Sequence, residues 1–478
     1  MRIAMCASEV VPFAKTGGLA DVVGALATAL DKKGEEVIVV MPFYREAKKS
    51  GINPSIALGV DGERSRTIKT KKLKKDIYTA TIGKNVKVYL IEKDEYFDRP
   101  YLYSEKTGDY PDNLERFSFY CRRTLELLKE IDFKPDIIHV HDWHASLIPV
   151  YLKTIFSGDR FYKDTKTVLT VHNLGYQGIF DKEKFPKIGL DWNMFTIRGL
   201  EYFDRINLLK AGLLFADIIN TVSPTYSKEI QGEELGFGLE GVLRERNTSL
   251  FGILNGVDYS VWDPRTDKYI AKNYSAESLQ GKAACKEDLE DICKLPHKKE
   301  IPIIGIVSRL ASQKGFDILS EAVDEICRMQ LQLVILGVGE EKYQMILKRA
   351  AGKYRKRISL HLEFNDPLAH KIYAGSDIFI MPSLYEPCGL DQLIAFRYAT
   401  LPLVHKTGGL ADTVNKNNGF LFEDYCKEDL VRQIKEALKA FKNKKKWLAM
   451  VKKAMEQDFS WGESAKKYLQ LYAKAKEN

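Results

Sequence analysis

Seven residues recur letter for letter 391 positions apart, as Lys15-Thr16-Gly17-Gly18-Leu19-Ala20-Asp21 and as Lys406-Thr407-Gly408-Gly409-Leu410-Ala411-Asp412. A match of that length is rare by chance, so two distant parts of the chain share one local plan. In the first copy the Gly-Gly pair lies between an apolar run, Arg2 to Ala7, and a helical segment from about Leu19 to Lys33, and a second run follows at Glu36 to Met41. That is a βαβ unit. Further apolar runs at Asp136 to Val140, Thr167 to Val171, Asp217 to Thr221 and Leu250 to Leu254 suit strands of a parallel sheet covered on both faces. The pattern fades from Asp263 to Glu300 and restarts at Ile301 to Val307, Leu331 to Leu336, Ile358 to Leu362 and Ile378 to Pro382. The chain therefore reads as α/β, with two doubly wound domains facing a central cleft, where open α/β sheets bind ligands.

Composition narrows the class of function. The 478 residues are 45% hydrophobic and 29% charged, which suits a globular protein and excludes disordered, collagen-like and coiled-coil chains. Lys plus Arg exceeds Asp plus Glu by 73 − 65 = 8, mildly favouring anionic ligands, but much of the excess lies in two patches, Lys69 to Lys75 and Lys442 to Lys446. Such runs read as solvated faces, so nucleic acid is not an expected partner. Seven cysteines without a C-x-x-C spacing suggest neither a disulfide framework nor a zinc knuckle, and point to a reduced, cytoplasmic setting. No uncharged apolar stretch reaches the ~20 residues that span a bilayer, so no membrane partner is expected.

Four segments carry chemistry. A Lys-Thr-Gly-Gly turn before a helix offers backbone N–H groups at the positive helix end, so either copy is expected to cradle a phosphate. Ser308-Arg309-Leu310-Ala311-Ser312-Gln313-Lys314-Gly315 puts two cations in one βα loop, suited to neutralising a diphosphate leaving group without a metal. Glu386-Pro387-Cys388-Gly389-Leu390-Asp391-Gln392 sets a carboxylate beside a βα turn, where it can bind sugar hydroxyls or stabilise positive charge at a sugar carbon, with helix capping as the plainer role. Cys388 reads as a packed residue. In His139-Val140-His141-Asp142-Trp143-His144 the spacing puts His139 and His141 on one face of a strand, yet no companion ligands are near, so no metal is expected. Asp142 as a fixed acceptor and Trp143 as an apolar plane fit sugar contacts better. His172 closes another strand with polar groups at its mouth, and a core histidine is the alternative.

The ordered set of motifs resembles the bacterial glycogen synthases and plant starch synthases, retaining glucosyltransferases with two Rossmann-like domains of the GT-B type. The matching segments are Lys15 to Asp21, Asp109 to Asn113 with Arg116-Phe117, His141 to His144, His172 to Gly178, Asn255 to Asp258, Ser308 to Gly315, Glu386 to Leu390 and Thr407 to Asp412, with a tail from Phe459 to Tyr472 like the family's closing helix. The resemblance implies a catalytic, acceptor-side domain over residues 1–258, a nucleotide-sugar domain over 259–445, and helices over 446–478 packing back on the first. It implies transfer of α-glucose from ADP-glucose, or alternatively UDP-glucose, to the non-reducing end of glycogen or another α-1,4-glucan. An inactive glucan-binding relative is the remaining alternative. By the same resemblance Arg309 and Lys314 hold the diphosphate, with Lys15, Gly17 and Gly18 approaching from the other domain. His172, Asp142 and Asn255 contact the glucose, Glu386 binds near the reacting carbon, and Phe364 stacks on the base. Gly389, Leu390, Thr407 and Gly408 complete the donor site, and Asp21 and Trp143 face the acceptor. No cofactor is implied, because the donor phosphate itself serves as base. Asp391 departs from the family pattern, and its charge is expected to oppose the diphosphate unless a cation such as Lys406 faces it; His405-Lys406 departs likewise.

A nicotinamide dehydrogenase is poorly supported, since no Gly-x-Gly-x-x-Gly follows the first strand. A phosphorylase would need a pyridoxal-phosphate lysine segment, and none matches.

Overall fold

The computed structural model describes residues 1–49, 70–105 and 108–477. They form two compact units, Met1–Asp258 with Trp461–Asn478, and Tyr259–Ser460. The helix Lys444–Met455 thus stays with the second unit, and the returning tail begins at Trp461 rather than at 446.

The first unit is built on a nine-stranded sheet of β1 (Arg2–Cys6), β2 (Glu36–Pro42), β3 (Lys71–Lys74), β4 (Ile77–Ile82), β5 (Val86–Ile91), β6 (Ile137–His141), β7 (Lys166–Val171), β8 (Ile218–Thr221) and β9 (Leu250–Gly252), in spatial order β9-β8-β7-β6-β1-β2-β5-β4-β3. Its strands from β9 to β5 run parallel, and β4 and β3 close one edge antiparallel. The parallel strands β1, β6, β7 and β8 are buried along almost their whole length, as apolar runs covered on both faces require. The antiparallel edge went unread in the sequence because β3 is a row of lysines, Lys71, Lys72 and Lys74, exposed throughout. Charged side chains on an edge strand block pairing with other chains. Lys69, at the head of that patch, lies outside the described residues.

The terminal helix Trp461–Glu477 belongs to this first core. Its Tyr472 hydroxyl meets His139 Nδ1 at 2.8 Å, the Tyr468 hydroxyl accepts from Asn220 Nδ2 at 3.1 Å, and Ser464 Oγ donates to the Leu254 carbonyl at 2.8 Å. It also packs on the helix Gly18–Lys32, which explains why that helix is apolar nearly all round.

The second unit holds β10 (Ile303–Val307), β11 (Gln332–Leu336), β12 (Ile358–His361), β13 (Ile378–Met381), β14 (Leu401–His405) and β15 (Phe420–Phe422), all parallel, in spatial order β12-β11-β10-β13-β14-β15. The order reverses between β10 and β13. Loops leaving the carboxyl ends of those two strands diverge to opposite sides and open a crevice, the usual ligand site of a doubly wound sheet. In the first unit the same reversal falls between β1 and β6. Among the described residues no helix is long and apolar enough to cross a membrane.

Candidate active site

In the second unit, the loop after β10 carries Arg309 and Lys314, and the loop after β13 carries Ser383 and Glu386. A recess at the strand-order reversal is lined by Ser308, Lys314, Ser383, Glu386 and Asp391 above an apolar floor from β10 and β13. Lys314 Nζ donates to Glu386 Oε2 at 2.6 Å, and Ser383 Oγ donates to the same oxygen at 3.0 Å. The Lys314 ammonium resists deprotonation although burial works against its charge, because Glu386 and then Asp391 face it. An ammonium has three N–H bonds, so one donated to Glu386 leaves capacity for an anion. Arg309 is exposed at the mouth, its guanidinium 3.4 Å from Gln313 Oε1. Gly315 at φ 77 turns the chain into the next helix, where a Cβ would stand 1.9 Å from the Pro382 carbonyl oxygen. The two loops are therefore locked together at that glycine.

The second Lys-Thr-Gly-Gly copy supports this carboxylate loop. Gly408 has φ 44, and a Cβ there would lie 2.0 Å from the Glu386 carbonyl oxygen; a Cβ on Gly409 would lie 2.0 Å from that of Cys388. The Gly409 N–H donates to the Glu386 carbonyl at 3.1 Å. Thr407 and Gly408 are buried, so this copy shapes the Glu386 loop from beneath rather than presenting an open phosphate cradle. Gln392 finishes the loop, its Nε2 donating to the carbonyls of Cys388 and Gly389 at 3.1 and 3.0 Å. Gly389 and Leu390 are half-buried at the loop's end, Gly389 with φ 69. Phe364, beyond β12, is 91% exposed, an open aromatic face.

In the first unit the residues lie along the carboxyl edge of the sheet. His141 Nδ1 and His172 Nε2 are 3.0 Å apart, and the His172 main-chain N–H donates to Asp142 Oδ1 at 2.7 Å. Burial pushes the His172 imidazole down to about 3, so it works as a neutral hydrogen-bonding group. Burial likewise lifts the Asp142 carboxyl to about 7, the His172 N–H opposing and the Glu9 charge adding to it. Asp142 is held at φ 54, a strained backbone for a non-glycine residue that fixes its carboxyl at the strand end. His139 has gone into the core between Thr170 Oγ1 at 2.7 Å and Tyr472. Asn255, after β9, is buried with Oδ1 unpartnered among the described residues.

Two expectations for this unit are corrected. In the first Lys-Thr-Gly-Gly turn the Thr16 and Gly17 N–H groups are already used: Glu9 accepts from the Thr16 N–H and Oγ1 and, at 3.3 Å, from the Gly17 N–H, and the Tyr103 hydroxyl donates to it at 2.6 Å, while Gly18 is exposed. A carboxylate thus takes the Thr16 and Gly17 donors. Trp143 offers no plane to a sugar, because it is 8% exposed, stacked on His144 at 3.9 Å and covered by Gly178, where a Cβ would come within 2.5 Å of the indole. Lys15 stays half-exposed and paired with Asp21 at 2.8 Å. Glu9 and Tyr103 were missed by sequence reasoning. The available signal was an acidic residue within the first βα loop, seven positions before Thr16.

The charge at Asp391 is also met differently from expectation. Its Oδ1 accepts from the Tyr373 hydroxyl at 2.8 Å and it faces Lys314, whereas Lys406 pairs with Glu423 at 2.8 Å.

Comparison with known proteins gives the family and the fold. Residues 2–245 match the family model described as starch synthase catalytic domain, and 288–454 the model described as glycosyl transferases group 1. The chain is 48% identical to a glycogen synthase of Geotalea uraniireducens, over 99% of this chain and 98% of that one. It is 45% identical to glycogen synthase 2 of Geobacter sulfurreducens, over 99% of each. Among solved structures, the catalytic domain of starch synthase IV from Arabidopsis thaliana, bound to ADP and acarbose, superposes with a TM-score of 0.88 at 31% identity, over 100% of this chain and 99% of that one. The sucrose-phosphate synthase of Thermosynechococcus elongatus shares the fold at a TM-score of 0.61 and 16% identity, over 99% of each.

Proposed function

The chain belongs to the glycogen and starch synthase family of glycosyltransferases, and from that premise we propose that it transfers glucose from ADP-glucose to the non-reducing end of an α-1,4-glucan with retention, releasing ADP. The carrying observation is the Lys314–Glu386 pair, 2.6 Å apart in the recess at the strand-order reversal of the second unit. Departure of a nucleoside diphosphate leaves positive character on the sugar ring and negative charge on the phosphates. Arg309 and Lys314 answer the second, and the Glu386 carboxylate answers the first. Their positive charge does the work a metal would do, so the reading calls for no cofactor. No side chain is required as a nucleophile: the acceptor hydroxyl attacks on the face the diphosphate leaves, and a phosphate oxygen takes its proton. Neutral His172 and the Asp142 carboxyl hold the glucose hydroxyls, and Phe364 stacks on the base.

ADP-glucose is preferred over UDP-glucose in this reading because the structural relative from Arabidopsis thaliana carries ADP. The expected roles are divided between the units, with Lys15, His172 and Asp142 in the first and Arg309, Lys314 and Glu386 in the second. The reaction itself is tested by supplying radiolabelled ADP-glucose and UDP-glucose in parallel with glycogen. Label in polymer, released as maltose by an exo-acting α-1,4-glucanase, is the expected result, with the larger rate from ADP-glucose. No incorporation from either donor by folded protein would overturn the proposal.

A further inference from the structure

The recess holds one more ionisable group than diphosphate binding calls for. Lys314 and Arg309 bring two positive charges, Glu386 and Asp391 two negative ones, and Lys314, Glu386 and Asp391 line the same small space. A sugar diphosphate brings two further negative charges. If all four side chains stayed ionised, the filled recess and its mouth would carry a net charge of two negative units in a narrow crevice, which is costly.

We propose that Asp391 takes up a proton as the donor's diphosphate reaches Lys314, so that donor binding in this protein is proton-linked. Geometry selects Asp391 over Glu386. The ionised form of Glu386 is held by two donors, Lys314 Nζ at 2.6 Å and Ser383 Oγ at 3.0 Å. Asp391 has one, the Tyr373 hydroxyl at 2.8 Å, on a phenol that is buried and stacked on Phe379 at 4.8 Å. The groups facing Asp391 are Lys314 from the loop after β10, Glu386 from the loop after β13 and Tyr373 from the helix Asp366–Gly375. Burial already raises the Asp391 carboxyl; Lys314 and then Tyr373 oppose it, and Glu386 adds to it. A diphosphate that draws on Lys314 weakens the main attraction keeping Asp391 ionised. Once protonated, the carboxyl becomes a donor, able to give its O–H to a phosphate oxygen. The balance is one proton from solvent to Asp391, with no bond made or broken in the donor.

This inference rests on the donor-binding reading above, and calorimetry separates the two. ADP-glucose, whose diphosphate diester does not titrate near neutrality, is titrated into the full chain in Pipes, Hepes and Tris between pH 6.5 and 8.5, with UDP-glucose in parallel. The dependence of heat on buffer ionisation counts the protons. The wild type is expected to absorb up to one proton per donor, with the Kd rising toward 10-fold per pH unit on the alkaline side. Asp391→Asn keeps an acceptor for Tyr373 and should lose both the uptake and that slope. Tyr373→Phe removes the donor that favours the ionised carboxylate and should move the uptake to higher pH, which keeps the test alive if Asp391→Asn does not fold. Equal uptake in wild type and Asp391→Asn, or an unmoved profile in Tyr373→Phe, would overturn the inference alone. Absence of binding by either donor would overturn the donor reading beneath it.

Discussion

At the residue scale, function rests on carboxyl groups set against their own preference. Asp142 is the clearest case, lifted to about 7 by burial at a strained strand end. A folded-state value above the ordinary one near 4 means that the folded chain holds the proton after the unfolded chain has released it. Stability from this group is therefore complete below pH about 4 and is lost as pH rises from there to about 7, by at most about 1.4 kcal/mol per pH unit. Asp142→Asn should remove that slope. The check is the difference in urea midpoint between wild type and variant at pH 5 and pH 7, with the wild type losing ground at pH 7; parallel curves would contradict the assignment. His139, two residues before His141 on the same strand face, shows how identical side chains divide by environment. It is sealed between Thr170 and Tyr472 in the core, while His172 reaches the strand mouth.

At the scale of elements, one seven-residue sequence does two jobs. Gly17 and Gly18 have nothing within 4 Å of a built Cβ, so alanine at either should cost about 1 kcal/mol or less. Gly408, at φ 44 with the Glu386 carbonyl 2.0 Å from its missing Cβ, cannot accept alanine without moving the Glu386 loop. Gly408→Ala should lower kcat/KM at least 100-fold while Gly17→Ala stays within about 10-fold, as read by glucose transfer on protein of matched melting temperature. Equal losses would mean that the turns are equivalent. The repeat thus showed correctly that two strand-to-helix turns exist, but not what approaches each. That depends on Glu9 and on the Glu386–Cys388 backbone, partners that short-range pattern does not encode. Most of the parallel strands were legible because burial leaves apolar runs, although the parallel strands β5, β14 and β15 went unread; β3 was not legible, because its exposed lysines look like any solvated face. Glu386, Lys314 and Arg309 were legible as loop residues after strands. Trp143 was misread because a strand-end position does not reveal that Gly178 lies against the indole.

At the scale of the whole molecule, the chain leaves its first unit at Asp258 and returns to it at Trp461. In the first unit, neutral His172 and the Asp142 carboxyl are hydrogen-bonding groups suited to sugar hydroxyls. The second contributes the charged pair and the exposed Phe364, suited to a nucleoside diphosphate. The central claim is that Lys314, held by Glu386, stabilises the departing diphosphate. Its most direct test is the steady-state rate of glucose transfer from ADP-glucose to glycogen by wild type and Lys314→Ala. The substitution leaves the Glu386 carboxylate without its cation, a stability cost of about 1–3 kcal/mol, so the comparison is made below the melting temperature of both. A fall in kcat/KM of about 10²–10³-fold or more is predicted. Transfer within a few-fold of wild type would contradict the account.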